Sequence, residues 1–144
     1  MVWNIGFDDG LGVTYALTEM DGNLRKIEYE DATRERATNG RRFKPGDLNL
    51  ERRIKPDSVP AKFLWEGPRN RKLPDAKFSR GMLLVSDRLK NIIEEFEPGR
   101  HQFFPIDVLF KSGELAKKMH FLNICTRLDS VDRELTNSKL DYSI

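Results

Sequence analysis

The fold is decided by the segment SDRLKNIIEEF (residues 86–96), followed by FFPIDVLF (residues 103–110) and MHFLNIC (residues 119–125). In residues 86–96 the apolar side chains recur at i, i+3, i+4 and i+7, which predicts an amphipathic α-helix. Ser86 is placed to cap the first turn of this helix, and Pro98-Gly99 is placed to end it. The predicted helix therefore runs from Ser86 to Phe96.

Residues 103–110 alternate with a period of two, which predicts a strand with one buried face. Pro105 within this run predicts an edge strand or a bulge, because proline has no N–H for a central ladder. Residues 119–128 predict the second strand of a β-hairpin. Together these elements predict an α+β fold, with a mixed or antiparallel sheet and one main amphipathic helix packed on it. The predicted core consists of Leu89, Ile92, Ile93, Phe96, Phe104, Ile106, Val108, Phe121 and Ile124.

The 144 residues predict a single domain in three parts. Residues 1–30 predict a meander of short strands, with Met1–Phe7 as the first, a turn at Asp21-Gly22-Asn23 and a strand at Leu24–Tyr29. Residues 31–72 are polar and rich in Gly and Pro, which predicts a basic, loop-rich segment. Residues 73–144 hold the helix and the hairpin.

The net charge of +2 hides an uneven distribution, because residues 1–33 carry −5, residues 34–80 carry +8 and residues 81–144 carry −1. The single cysteine, Cys125, excludes a disulfide within the chain and indicates a reducing compartment, so we expect a cytoplasmic location. No leader and no membrane span are expected, because the first twenty residues lack an apolar core and no long apolar run follows.

The basic middle of the chain predicts a contact surface for a partner. Loops on a rigid sheet often carry recognition, and arginine with an aromatic neighbour is typical of interface anchors. The candidate partner-binding residues are Arg41, Arg42, Arg52, Arg53, Trp65, Arg69 and Arg71. The same segment, residues 34–80, leaves open nucleic-acid binding through phosphate contacts and base stacking, and a plain solvated loop. Association of the chain with itself also stays open.

Catalytic chemistry has little support in this sequence. His101 and His120 lack ligand spacing and a nucleophile, Ser86 lacks the flanking glycines of a hydrolase elbow, and Cys125 stands in an apolar run. We therefore predict a protein that is not an enzyme and needs no cofactor or metal. A hydrolase remains only a formal alternative.

Five short motifs follow one another between residues 73 and 135. They are Pro74-Asp-Ala76, Gly81-Met-Leu-Leu-Val-Ser-Asp-Arg88, Phe103-Phe-Pro-Ile-Asp-Val108, Phe121-Leu-Asn-Ile124 and Leu128-Asp-Ser-Val-Asp-Arg-Glu134. In this order they resemble immunity protein family eleven, small bacterial proteins of polymorphic toxin systems. The family pattern continues beyond Ile144, so we expect a short or C-terminally incomplete member.

The resemblance implies an antidote that binds a cognate toxin domain and neutralises it without catalysis or cofactor. Its motif positions are mainly structural. They are Pro74, Asp75, Leu84, Val85, Ser86, Pro105, Leu122, Asn123, Asp129, Asp132 and Arg133.

Overall fold

A computed structural model describes residues 15–31, 33, 35–36, 42–43, 48 and 51–126. In these residues one α-helix accompanies one mixed sheet, whose strands follow the order β1-β2-β5-β6-β4-β3. The elements are β1 (Leu17–Glu19), β2 (Lys62–Trp65), β3 (Ala76–Ser79), β4 (Met82–Val85), α1 (Asp87–Phe96), β5 (Gln102–Leu109) and β6 (Leu115–Asn123). β2 and β5 run parallel, and the other neighbouring strands are antiparallel. The predicted α+β class is confirmed.

Two hairpins build the centre and one edge of the sheet. β5 and β6 form the predicted hairpin, with Phe104 opposite Phe121. The predicted bounds of the second strand, residues 119–128, are wrong, because β6 runs from Leu115 to Asn123. β3 and β4 form a second hairpin that the sequence analysis did not predict. Its turn has positive φ at Arg80 (51°) and Gly81 (83°), as a tight turn matched to the strand twist requires.

The sheet curls until its two edge strands meet. The backbone N–H of Leu17 in β1 donates to Ser79 Oγ of β3 at 3.4 Å. Just beyond, Arg80 Nη1 lies 3.0 Å from a carboxylate oxygen of Glu19. In a complete barrel, backbone hydrogen bonds would join β1 to β3. Here side-chain contacts join them instead, and the concave face of the sheet forms the interior of the protein.

The core fills this concave face. Phe104, Ile106, Val108 and Phe121 are buried there, as predicted, while Ile124 is half-buried. Further buried side chains come from β1, β2, β4 and β6 and from the segments between strands. They are Leu17, Leu24, Ile27, Ile54, Phe63, Trp65, Leu73, Met82, Leu84 and Met119.

α1 lies on the opposite, outer face of the sheet, above Val85 and Leu122. The prediction that its apolar stripe joins the core is wrong, because Ile92 is 43% and Phe96 78% exposed and no residue of α1 is buried. The stripe indicates which side of the helix is apolar, but not how deeply it is buried. The curled sheet fills its interior with its own strands, so α1 makes only a shallow outer contact.

Within residues 1–30, the predicted strand at Leu24–Tyr29 is wrong, although β1 does form a strand just before it. Leu24–Lys26 forms a 3₁₀ turn in place of a strand, with Leu24 and Ile27 buried at the three-residue spacing of that turn. β1 pairs with β2, far along the chain, and the carboxylate of Asp21 adds to this pairing by accepting the backbone N–H groups of Ala61 and Lys62. The expected strand Met1–Phe7 lies outside the described residues.

Pro105 lies in an interior strand, not in the predicted edge strand. The N–H of Asp107, two residues on, points toward β2 and donates to Ala61 O at 2.8 Å. Pro105 has the same orientation, but β2 pairs with β5 only from Asp107 onward. The missing N–H therefore faces a stretch without a neighbouring strand, and no ladder hydrogen bond is lost.

Candidate functional site

The candidate site lies where β2 ends at Trp65, beside the C-terminal end of β5. The Trp65 indole is 3% exposed, and Tyr15 packs edge-on against it with 5.7 Å between ring centroids. Phe110, the residue after β5, lies on the same side. These rings give this end of the barrel an aromatic floor.

Gly67 fixes the turn that follows Trp65. A Cβ atom at this position would lie 2.3 Å from the Cζ2 atom of the indole, inside contact distance with a rigid buried ring. The next residue, Pro68, accepts the indole N–H through its carbonyl at 3.5 Å. Glycine is therefore required for the turn to fold over the ring edge.

Two recesses of about 250 and 460 Å³ open above this floor, and Arg69 lines both. Its guanidinium lies 4.9 Å from the Phe110 ring centroid, and that of Arg71 lies 5.2 Å from the Tyr15 centroid. Both distances fit cation–π contact. We call Tyr15, Trp65, Arg69, Arg71 and Phe110 the barrel-end cluster.

Positive charge exceeds negative charge around the barrel-end cluster. The cations are Arg69, Arg71, Lys72, Lys77, Lys111 and Lys117, and the carboxylates are Glu66, Asp75 and Glu114. Lys77 is buried, with Nζ 5.5 Å from the Trp65 ring centroid. Arg69 Nη2 lies 2.5 Å from Glu114 and 2.9 Å from Ser112 Oγ. This excess favours an anionic ligand.

The remaining described candidates lie at the other end of β5. Arg52 stacks on Tyr29, 3.6 Å from its ring centroid, and Arg53 Nε lies 3.2 Å from Glu30. Seven residue steps along β5, from Gln102 to Leu109, separate this end from the barrel-end cluster, which is about 23 Å at ~3.3 Å per residue. The structure therefore brings Trp65, Arg69 and Arg71 together but not Arg52 and Arg53.

Arg42 forms an isolated backbone bridge with Arg36 that is not part of a named strand. Arg41 lies outside the described residues.

The family-motif residue Asn123 has a structural role in a buried polar network with Gln102. The Gln102 amide accepts from Ile54 N at 2.7 Å and donates to Ile54 O at 3.0 Å, as a neighbouring strand would. Asn123 Nδ2 donates to Arg52 O at 2.7 Å and to Gln102 Oε1 at 3.0 Å. These two side chains tie residues 52–54 to the end of the sheet.

A second motif group joins the strands to α1. Ser86 accepts from Leu89 N at 3.3 Å, which confirms it as the N-cap. A hydrogen bond from the Ser86 side chain lowers the pKa of Asp75 below its usual value, and nearby Lys117 lowers it further. Lys117 Nζ also donates to the carbonyls of Leu73 (3.1 Å) and Pro74 (3.2 Å). These contacts are structural.

The other motif positions are buried residues or lie outside the described residues. Leu84 belongs to the core, and Val85 and Leu122 are buried on the outer face. Asp129, Asp132 and Arg133 lie outside the described residues.

The two histidines occupy separate places. His101 Nδ1 accepts from Cys125 N at 3.3 Å, so the proton of the neutral ring lies on Nε2, 2.6 Å from Glu97. His120 Nε2 lies 2.5 Å from Asp87, and this hydrogen bond lowers the pKa of Asp87. Burial raises the pKa of the Cys125 thiol. Each of these groups therefore has a structural neighbour among the described residues.

Within the described ranges, no group of three or more His, Cys, Asp or Glu side chains could hold a metal ion. None of the helices in that part of the chain is long and apolar enough to cross a membrane.

Comparison with known proteins identifies one family. The model of the immunity protein family (Imm11) matches residues 17–144, which is most of the chain. No curated protein matches the sequence.

Proposed function

The chain belongs to the immunity protein family (Imm11), and we propose that it neutralises a cognate toxin domain by binding and occluding it without catalysis. The family assignment supports an immunity role. The toxin contact and the occlusion mechanism are our proposal. The single cysteine, half-buried Cys125, fits a cytoplasmic site of action.

We propose the barrel-end cluster as the toxin-contacting surface. The single observation that carries this is the convergence of Arg69 and Arg71 over aromatic rings beside two open recesses. Arginine and aromatic side chains carry much of the energy of protein interfaces. Trp65 is buried, so its part is to support the arginines from below, whereas the Arg69 side chain is 61% exposed and available for contact.

Nucleic-acid binding is the alternative for the basic segment, residues 34–80. It requires a continuous basic track for the phosphate backbone. The described cations instead are separated on the surface. The barrel-end cluster and residues 52–55 lie at opposite ends of β5, Lys62 lies opposite Asp107 in the sheet, and Arg80 pairs with Glu19. At residues 52–55, Arg53 and Lys55 are paired with Glu30 and Glu28. This arrangement favours a compact protein contact.

Calorimetric titration with the product of the neighbouring gene, made as a catalytically inactive variant, tests the proposal. We expect saturable binding to the wild-type protein and strong weakening by Arg69→Glu with Arg71→Glu. The matched control is Arg53→Glu, which changes the same charge at the other end of β5. If all variants bind equally, the toxin contacts another surface; if the wild-type protein does not bind, the neutralisation proposal fails for that pair.

A further inference from the structure

We propose that the barrel-end cluster binds the carboxylate of an acidic toxin residue, and that Glu114 holds Arg69 in its place until the toxin displaces it. This inference rests on the proposed function and names the chemistry of the partner. It assigns Glu114 a role that the sequence motifs do not indicate.

The contacts of Arg69 suggest this exchange. Both described partners, Ser112 Oγ at 2.9 Å and Glu114 Oε2 at 2.5 Å, bind the same atom, Nη2. Guanidinium has five N–H donors in a planar fork that matches a carboxylate with two parallel hydrogen bonds. Nη1 and Nε of Arg69 have no acceptor among the described residues, so this fork is only partly used.

The Arg69–Glu114 ion pair is easily exchanged. The two side chains are 61% and 62% exposed, and exposed ion pairs contribute little to stability. Phe110, stacked 4.9 Å away, keeps the guanidinium oriented while its acceptor changes. Exchanging Glu114 for a toxin carboxylate therefore costs little, and exclusion of water by the toxin strengthens the new bond.

The surroundings favour a carboxylate on a folded partner. Lys72 and Lys111 line the recesses with exposed side chains, and neither has a described ion pair. The smaller recess, about 250 Å³, has room for one short acidic side chain, and Arg69, Arg71 and Lys72 line it. Carboxylates of Glu66, Asp75 and Glu114 interrupt the positive surface, which disfavours a continuous polyanion.

An NMR titration tests the exchange without the toxin. The probe is a capped Gly-Glu-Phe-Glu-Gly peptide, with its glutamine isostere and hexathymidylate as comparisons. The readout is the indole N–H resonance of Trp65, assigned with a Trp3→Phe variant. The proteins are wild type, Arg69→Gln, Glu114→Gln and the control Arg53→Gln, each checked for folding by circular dichroism.

We expect weak binding of the glutamate peptide and no shift with its isostere. Loss of a charge-assisted bond in Arg69→Gln should weaken binding about tenfold. Glu114→Gln should strengthen it several-fold because a competing carboxylate is gone, and Arg53→Gln should not change it.

The inference is overturned if Glu114→Gln weakens binding or leaves it unchanged, because Glu114 would then only position Arg69. It is equally overturned if the glutamate peptide causes no shift, or if hexathymidylate binds in preference. The toxin titration separates the two claims. If the toxin binds but the peptide causes no shift, only the carboxylate-exchange hypothesis is rejected. If the peptide binds but the toxin does not, the proposed function is rejected for that toxin, and the barrel-end cluster is still an anion-binding site.

Discussion

Replacing Asn123 by alanine removes the centre of the buried polar network at the end of the sheet. Asn123 is 1% exposed, and its Nδ2 donates to Arg52 O at 2.7 Å and to Gln102 Oε1 at 3.0 Å. Gln102 keeps its two bonds to Ile54, but Arg52 O loses this donor. The variant therefore tests whether this motif residue holds the segment 52–54 in place.

The expected cost follows from these contacts. Two hydrogen bonds contribute a net ~1 kcal/mol each. The weakened satisfaction of Arg52 O, which keeps only a long contact of 3.9 Å with Cys125 Sγ, costs a further ~1 kcal/mol. We expect a loss of about 3 kcal/mol in the free energy of unfolding, a large share of the roughly 5–15 kcal/mol of an ordinary domain.

Urea denaturation followed by circular dichroism measures this loss. With a slope of about 2 kcal/mol per molar urea, the midpoint should fall by about 1.5 M. The matched control is Asn91→Ala, the same substitution on the exposed side of α1, which should change stability by less than about 0.5 kcal/mol. Equal midpoints for the two variants would refute the structural role of the network.

Three further predictions follow from the fold and the site. Ser86→Ala removes the N-cap of α1, which should cost about 1 kcal/mol in urea denaturation. Because its side-chain hydrogen bond lowers the pKa of Asp75, the same variant should raise that pKa toward its usual value, as measured by carbon NMR of the carboxyl group. The folded-state pKa of Asp75 is depressed, so its contribution to stability is present above the usual pKa and is lost as the pH falls through the folded-state value. The Ser86→Ala variant should therefore lose less free energy of unfolding than the wild-type protein when the pH is lowered. Phe96→Ala should leave thermal stability nearly unchanged because the ring is 78% exposed. Phe104→Ala should lower the free energy of unfolding by about 3–5 kcal/mol. Similar losses in the two variants would mean that α1 is part of the core. Gly67→Ala should cost about 1–3 kcal/mol, since the new Cβ would lie 2.3 Å from the tryptophan ring, and an unchanged melting temperature would show that this turn relaxes freely.

Local periodicity predicts the elements that neighbouring residues determine. The repeat of Leu89, Ile92, Ile93 and Phe96 places α1 correctly, and the alternation of residues 103–110 places β5. Neither pattern contains the order of strands across the sheet. That order depends on pairs far apart in the chain, such as the bond from Leu17 N to Ser79 Oγ, and it determines that the helix remains outside the core.

The candidate site could be predicted only where its residues are close together in the sequence. Trp65, Arg69 and Arg71 are close in sequence, so an aromatic residue followed by a basic run indicates them together. Tyr15 and Glu114 join them only through the pairing of β2 with β1 and with β5, and no sequence signal marks either residue. Arg52 and Arg53 carry the same charge as the cluster, but residues 52–54 are tied to the opposite end of β5 by Gln102 and Asn123.

Growth rescue in cells measures neutralisation of the toxin itself. The neighbouring gene product is expressed as the active toxin in a host with wild-type protein, with the Arg69→Glu and Arg71→Glu double variant, or with neither. We predict that wild-type protein restores growth and co-purifies with the toxin, while the double variant, present at the same level, does neither. Continued toxicity beside abundant folded wild-type protein would contradict neutralisation of that toxin, and rescue without a complex would contradict occlusion.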